Sequence, residues 1–423
     1  MRSTGDSPTI AVIGLGMAGL YQALEFAVRG HRTIGYDNAP DRVEAVAAGR
    51  AGLPDVSDAV LQEQLASGRF EAHGDPGRLG DADAVLVSVP TDTGEDGAPD
   101  IGPVDAAARI IAEHCRPGVL AVVKSTAYPG MVRDRVAPVL ARAFGPAGTG
   151  GFGLAYAPER GDPGNRDFER TAATPKVVAG LTPGCAERTA ALYRPFGGDV
   201  HVAASLETAE LVKLHENVFR FLNIAYVNEL GDLAGRIGVD IDEVVALAAT
   251  KPFGFMPFTA GVGVGGMYVP VNPAYLIAGA GLAGTRVRTV EAAADVNDGM
   301  PQTVVDGLEQ SLGPLAGRKI LVLGATYKPG SADLRRSPAA AVAVHLSRIA
   351  SVAVVDPHAA GEALAGGDLA VHGVDDVDPS VFDLALRLVP HPALDGFTAA
   401  LPIPCFDPHG HRLDTSAPME ESP

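Results

Sequence analysis

Three stretches of the chain carry residue types and spacings suited to chemistry. In the first, Gly14-Leu15-Gly16-Met17-Ala18-Gly19 lies between a short β-type run, Thr9 to Ile13, and a helical pattern through Leu24 and Val28 to Gly30. A second strand-like run from Arg32 ends in Asp37, eighteen residues past Gly19. A GxGxxG turn between strand and helix, followed by such an acid, is a dinucleotide-binding arrangement. Gly14 allows the tight turn, Gly16 lets a pyrophosphate reach the backbone, and Gly19 lets helix and strand pack closely. Met17 and Ala18 lead into the helix, whose free N–H groups would bind the phosphates. Asp37 would accept hydrogen bonds from ribose hydroxyls and repel a 2′-phosphate, so the expected cofactor is NAD and not NADP. The competing reading is a glycine-rich turn without ligand.

In the second stretch, Glu210, Lys213 and Asn217 share one stripe of a helical segment running from Ser205 to Gly235. A lysine and an asparagine four apart on a helix can both point at one substrate oxygen. The alternative for Lys213 is an ordinary solvated lysine. The third stretch runs from Gly261 to Pro273, with Gly261, Gly263, Gly265, Gly266, Pro270 and Pro273. Such a run suits neither helix nor strand and lets a ligand approach the main chain. Composition alone also fits a flexible surface loop.

These residues need a scaffold, and 423 residues are too many for one core, so two or three domains are expected. Hydrophobic residues at 47% and charged residues at 20% indicate a globular chain. A net charge of −18 argues against non-specific binding to nucleic acid or to an anionic membrane. Cys115, Cys185 and Cys405 form no CxxC or CxxH pair, so neither a zinc site nor a disulfide framework is expected. No apolar run has membrane-spanning length, and no secretory signal pattern precedes Thr9, so a cytoplasmic protein is the expectation. Ala84 to Val89 before Pro90-Thr91, and Leu120 to Val123 before Lys124-Ser125-Thr126, read as strands buried on both faces. Ligands bind at the C-terminal ends of such strands. Thr91, Ser125 and Thr126 are therefore candidates for the cofactor edge or the active site, with turn and capping chemistry as the alternative. Phe152 to Tyr156, ahead of Pro158-Glu159-Arg160, and Lys176 to Gly180 are further strands.

The chain resembles the UDP-glucose/GDP-mannose dehydrogenase family, the nucleotide-sugar 6-dehydrogenases, over residues 9 to 410. The resemblance rests on the Gly14–Gly19 turn, Val89-Pro90-Thr91, Ser125-Thr126 with Pro129-Gly130, and Pro158-Glu159-Arg160 with Pro163-Gly164. It extends to Lys213 with Asn217, Asn228-Glu229, Lys251 to Phe258, the glycine loop, and Tyr327-Lys328-Pro329 with Asp333, Arg335, Ser337 and Pro338. It implies an α/β fold with two Rossmann-like doubly wound domains joined by a long central helix and a small helical domain. The implied segments are an NAD-binding domain over 1–203, a central dimerisation domain over 204–302, a UDP-binding domain over 303–412 and a disordered tail over 413–423. It also implies a homodimer paired through the central helix.

Members of that family oxidise a sugar C6 alcohol to the acid with NAD, through a cysteine in the glycine loop that traps the aldehyde. The resemblance assigns Lys213 and Asn217 to the developing oxyanion and a water, and adds Thr126 and Glu159 to the catalytic group. Pro90, Thr91, Ser125 and Thr126 fall at the cofactor. Glu159, Arg160, Lys213, Asn217, Phe258, Gly261, Gly263, Gly265, Gly266, Lys328 and Arg335 fall at the substrate. The cysteine position holds Tyr268, and the position of an assisting Asp holds Asn272. A phenol with a pKa near 10 is a poor nucleophile at neutral pH. The expectation is therefore a two-electron, NAD-linked oxidation or reduction on a nucleotide sugar, UDP favoured, with Tyr268 as proton acceptor. The alternatives are a non-catalytic nucleotide-sugar binder, with Tyr268 filling space, and a full 6-dehydrogenase using another nucleophile. His391 matches a recurrent histidine of the last domain and is assigned no role.

Overall fold

Continuous apolar runs such as Ile10-Ala11-Val12-Ile13 and Leu120-Ala121-Val122-Val123 have no polar face to turn to water. In the computed structural model they are strands with every residue buried. The structure describes residues 7–53, 56–94, 96–148, 150–161, 174–364 and 369–413. Asp162-Pro163-Gly164 and the expected tail from residue 414 onward lie outside the described residues. The chain forms two compact units, Met1–Glu216 with Ala274–Arg286, and Asn217–Pro273 with Val287–Pro423. The boundary falls inside the central helix, Leu206–Ile237.

In the first unit the strands are β1 (Ile10–Ile13), β2 (Thr33–Tyr36), β3 (Phe70–His73), β4 (Ala84–Val87), β5 (Leu120–Val123), β6 (Gly153–Tyr156), β7 (Lys176–Gly180) and β8 (Val200–Val202). They form one sheet in the order β3-β2-β1-β4-β5-β6-β7-β8. All neighbours pair in parallel except β6 and β7. Chain order reverses between β1 and β4, whose residues pair as Ile10 with Ala84 through Ile13 with Val87. That reversal opens a crevice at the C-terminal strand ends, where open α/β sheets bind ligands. The helix Met17–Val28 leaves β1 there and packs Leu20, Leu24 and Phe26 into the core around Leu86 and Val122.

The second unit repeats the plan with β9 (Lys319–Leu323), β10 (Ser351–Val355), β11 (Val371–His372), β12 (Leu384–Arg387) and β13 (Cys405–Phe406). Its order, β11-β10-β9-β12-β13, is all parallel and reverses between β9 and β12. Ile320, Val322, Leu384 and Leu386 line one face with the helix Pro338–Ser347, and Leu321, Leu323 and Ala385 line the other. The two Rossmann-like sheets and the long helix match the expected fold class. Among the described residues, no helix is long and apolar enough to cross a membrane.

Candidate functional site: a dinucleotide turn and a buried charge cluster

The Gly14–Gly19 turn has three glycines for three different reasons. Gly14 has φ +93°, and a Cβ there would lie 2.3 Å from the Ser88 carbonyl oxygen. A Cβ on Gly19 would lie 1.8 Å from the Gly14 oxygen, so helix and turn touch through bare backbone. A Cβ on Gly16 would meet nothing within 4 Å. Gly16 begins the helix without a side-chain cap, which leaves the open space and the N–H groups of Met17 and Ala18 to a phosphate. Asp37 accepts from Leu15 N through Oδ2 at 2.7 Å and from Ala39 N through Oδ1 at 3.0 Å. It remains half-buried, with acceptor capacity for ribose hydroxyls. These residues fit NAD, which accepts a hydride when bound.

The other cofactor-edge candidates lie at the ends of β4 and β5. Ser125 Oγ accepts from Val89 N at 2.9 Å and donates to Val89 O at 2.8 Å. Its hydroxyl therefore stitches the two strand ends and holds the loop bearing Pro90 and Thr91. Pro90 is exposed, and Thr91 and Thr126 are half-buried. Tyr275 is buried beneath that loop, with its hydroxyl donating to Asp100 O at 3.2 Å.

Glu159 is the hub of a buried charged cluster in the same unit. Its Oε1 accepts from Arg160 N at 2.9 Å and Gly161 N at 2.8 Å. Its Oε2 accepts from Gln22 Nε2 at 2.9 Å and lies 3.5 Å from Lys124 Nζ. Burial alone would raise its pKa, but Lys124, Lys176 and the Gly161 amide outweigh burial and hold the carboxyl below its ordinary value. A carboxylate so occupied is a counter-charge more than a proton shuttle. Lys213 is half-buried; burial lowers its pKa, opposed by Glu159 and Glu216. A lysine pushed down this way gives up its proton more readily than a solvated one. Arg160 pairs with Glu216 at 2.6 Å and donates to Pro175 O. Glu210, on the same stripe as Lys213, faces inward and accepts from Gly130 N and Val132 N. Burial lifts its pKa to about 7 against the pull of those two amides.

Sequence reasoning missed the members of this cluster on the first helix. Gln22 and Glu25 are buried, and Gln22 Nε2 bridges to Glu25 Oε2 at 3.0 Å as well as to Glu159. Burial lifts the Glu25 pKa to about 7, against Lys176. Their signal was two polar residues three apart on the inward face of an apolar helix. Lys124 is buried beside them, donating to Ala157 O at 3.1 Å and to the Tyr193 hydroxyl at 3.3 Å.

In the second unit the glycine loop lies against the segment from Tyr327 to Pro338. A Cβ on Gly265 would come 2.5 Å from Arg336 O, and one on Gly266 would come 2.8 Å from the Tyr327 ring. Gly263 meets Asn297 and Met300, and Gly261 N donates to Asn228 Oδ1 at 2.9 Å. Only Gly261 among the four has open space at its Cβ position. Gly263, Gly265 and Gly266 thus serve close packing, while the backbone at Gly261 has open space beside it. Tyr268 is 40% exposed. Asn272 is buried, with its amide donating to the Tyr268 carbonyl. Phe258 packs edge-on to Phe219, and Asn217 is half-buried on the central helix, one turn beyond Lys213. Arg335 forms a two-point pair with Asp333, at 2.8 and 2.6 Å, and Lys328 sits 5.7 Å from the Tyr327 ring centroid.

Two Rossmann-like sheets, the first with a glycine turn open to a pyrophosphate, define a dinucleotide-binding protein with a second nucleotide-type domain. The comparisons with known proteins agree. Residues 8–197 match the UDP-glucose/GDP-mannose dehydrogenase family NAD binding domain, 207–299 its central domain and 321–400 its UDP binding domain. The chain belongs to this family, whose members are NAD-dependent dehydrogenases acting on nucleotide sugars. It is 33% identical over 360 residues to UDP-N-acetyl-D-glucosamine 6-dehydrogenase of Pseudomonas aeruginosa, covering 84% of this chain and 83% of that one. It is also 33% identical over 367 residues to UDP-N-acetyl-D-mannosamine dehydrogenase of Salmonella typhi, covering 83% and 86%. The solved structure of a UDP-D-ManNAc dehydrogenase from Pyrococcus horikoshii superposes with a TM-score of 0.83 at 28% identity, covering 98% of this chain and 97% of that one. A UDP-glucose dehydrogenase from Pyrobaculum islandicum gives 0.83 at 29% identity, covering 96% and 95%.

Two measurements test the site. Gly16→Ala is expected to leave the melting temperature nearly unchanged and to weaken NADH binding about tenfold or more, whereas Gly19→Ala should cost about 3 kcal/mol of stability because backbone must move. Equal effects on folding from both would refute the division of roles. For Glu25, the folded pKa is raised from 4.5 to about 7. Its neutral form favours the fold fully below about pH 4.5, and that contribution, on the order of 3 kcal/mol, is lost as pH rises through about 7. Thermal melts of Glu25→Gln should lack this part of the wild-type slope.

Proposed function

We propose that the protein carries out a two-electron, NAD-linked oxidation or reduction at one carbon of a nucleotide sugar and stops at the aldehyde or ketone. UDP-sugars are the favoured substrates, on the strength of the relatives named above and the matched UDP binding domain. The observation carrying the two-electron reading is the absence of a usable thiol. Tyr268 stands at the nucleophile position, and all three cysteines are buried. Burial pushes the Cys115 thiol up to about 12 and the Cys405 thiol up to about 11, so both stay protonated and unreactive.

In the oxidative direction, bound NAD would accept the carbinol hydride, and the hydroxyl proton would pass to a base held by the protein. Lys213, with its lowered pKa, and the Tyr268 phenol are the groups suited to that proton. Asn217 holds the oxygen, and Glu159 keeps Lys213 in a balanced charge environment. Lys328 and Arg335 meet the diphosphate. Incubation with NAD and a panel of UDP-sugars should yield one NADH per sugar and a carbonyl product by mass. Two NADH and an acid would overturn the two-electron reading, and binding without turnover would make the protein a nucleotide-sugar binder. In the same assay Tyr268→Phe should lower kcat at least about tenfold if the phenol carries the proton; unchanged turnover removes that role.

We also propose a homodimer paired through the central helix. Phe219, Tyr226 and Leu233 recur every seven residues and are 40%, 64% and 51% exposed, continued by Ile237. A long helix with such a stripe can pair with its own copy. Light scattering should give twice the 43.3 kDa chain mass, and the double substitution Tyr226→Glu with Leu233→Glu should give the monomer. A monomeric wild type would sink the proposal.

A further inference from the structure

In the second unit, the turn after β9 is tied to the ends of β10 and β12 by a sealed polar network. Thr326, Asp356 and His391 are each 0% exposed. Asp356 Oδ2 accepts from Ala325 N at 2.8 Å and Thr326 N at 3.1 Å. It lies 3.1 Å from His391 Nε2, which is also 2.9 Å from Thr326 Oγ1. On the other side of the ring, Gly330 N is 3.1 Å from His391 Nδ1. A backbone N–H can only donate, so Nδ1 must carry a lone pair and the ring proton must sit on Nε2, facing the Asp356 carboxylate. The imidazole thus spans two backbone turns, Gly324–Thr326 and Lys328–Gly330.

We infer that His391, in its neutral form, is a positioning residue that holds the Lys328–Gly330 turn in the conformation that receives the diphosphate. The inference rests on the proposed contact of Lys328 with a nucleotide sugar. The groups facing the ring are Asp356 from the end of β10, the His358 ring with its centroid 5.0 Å away, and Thr326 from the β9 turn. Arg387 of β12 donates to the His391 carbonyl at 3.3 Å and pairs with Asp395. Without an acceptor at the Nδ1 position, the Gly330 N–H would lose its partner and the turn its tie to the strand ends.

The full-length protein is titrated with UDP-N-acetylglucosamine by calorimetry at about pH 8. His391→Asn places an amide oxygen where Nδ1 sits and keeps an acceptor for Gly330, so its affinity should stay within about threefold of wild type. His391→Gln reaches only the Nε2 position, so it should bind about tenfold more weakly at pH 8. Hydrogen exchange of residues 325–331, followed by mass spectrometry without ligand, should be faster in His391→Gln than in wild type or His391→Asn. Equal exchange in all three, or equal affinity in all three, overturns the inference. A wild type that binds no UDP-sugar, yet shows the expected exchange pattern, overturns the ligand reading and leaves the strut standing.

Discussion

Both units depend on one physical device, a carboxylate just past the second strand that takes the orphan N–H of the turn after the first. In the first unit Asp37 follows β2 and accepts from Leu15 N at 2.7 Å, while Gly14 N donates to Tyr36 O at 2.8 Å. In the second, Asp356 follows β10 and accepts from Ala325 N at 2.8 Å, while Gly324 N donates to Val355 O at 2.8 Å. The other carboxylate oxygen caps the chain two residues on, at Ala39 N and His358 N. Gly14 and Gly324 both take positive φ, at +93° and +85°. Charge-assisted bonds of this kind contribute about 1.5–3 kcal/mol each, and a buried turn without them would leave unsatisfied donors. The device fixes where the strand ends open, and so where a ligand can sit. Its two copies differ in exposure. Asp37 is half-buried and keeps acceptor capacity, whereas Asp356 is enclosed by His391 and Thr326 and has none to offer a ribose.

The charge cluster around Glu159 obeys a different constraint. Two acids, Glu25 and Glu159, and two lysines, Lys124 and Lys176, are buried or nearly so in one unit. Desolvating four charges is expensive, and apolar residues of similar volume would give an equally stable core. The arrangement instead sorts the groups by environment. Glu159, with four donors near its oxygens, stays ionised; Glu25, with its Oε1 unpaired, is pushed toward its neutral form. Pairs of like groups driven apart in this way mark acid–base sites. Because Gln22 and Glu25 sit on the helix that begins at Gly16, the helix that opens the cofactor turn also reaches Glu159.

Much of this was legible in the sequence, and the rest was not for physical reasons. The apolar strands, the strand–turn–helix context of the glycines and the inward stripe of the central helix are local patterns, and they appear where periodicity puts them. Partners far apart in sequence have no such signature. Gln22 meets Glu159 across 137 residues and His391 meets Thr326 across 65, so neither pairing could be read from spacing. A glycine demanded by a neighbouring carbonyl, as at Gly265, looks in sequence like one demanded by a ligand. Arg335 and Ser125 illustrate the same limit: residue type shows what each offers a ligand, and only the fold shows its partners within the chain, Asp333 and Val89.

The packing of the glycine loop bears on the chemistry proposed at position 268. Gly263, Gly265 and Gly266 are held by Asn297, Arg336 and Tyr327, and Asn272 folds back on the Tyr268 carbonyl. These contacts are made by the backbone of the loop and by the Asn272 amide. A phenol there retains the ability to exchange a proton and forfeits the ability to form a thioester. Hydride transfer asks only for a bound nicotinamide and a group to take the proton. The first oxidation and a covalent second step thus make different demands: the first needs no thiol, and the second does.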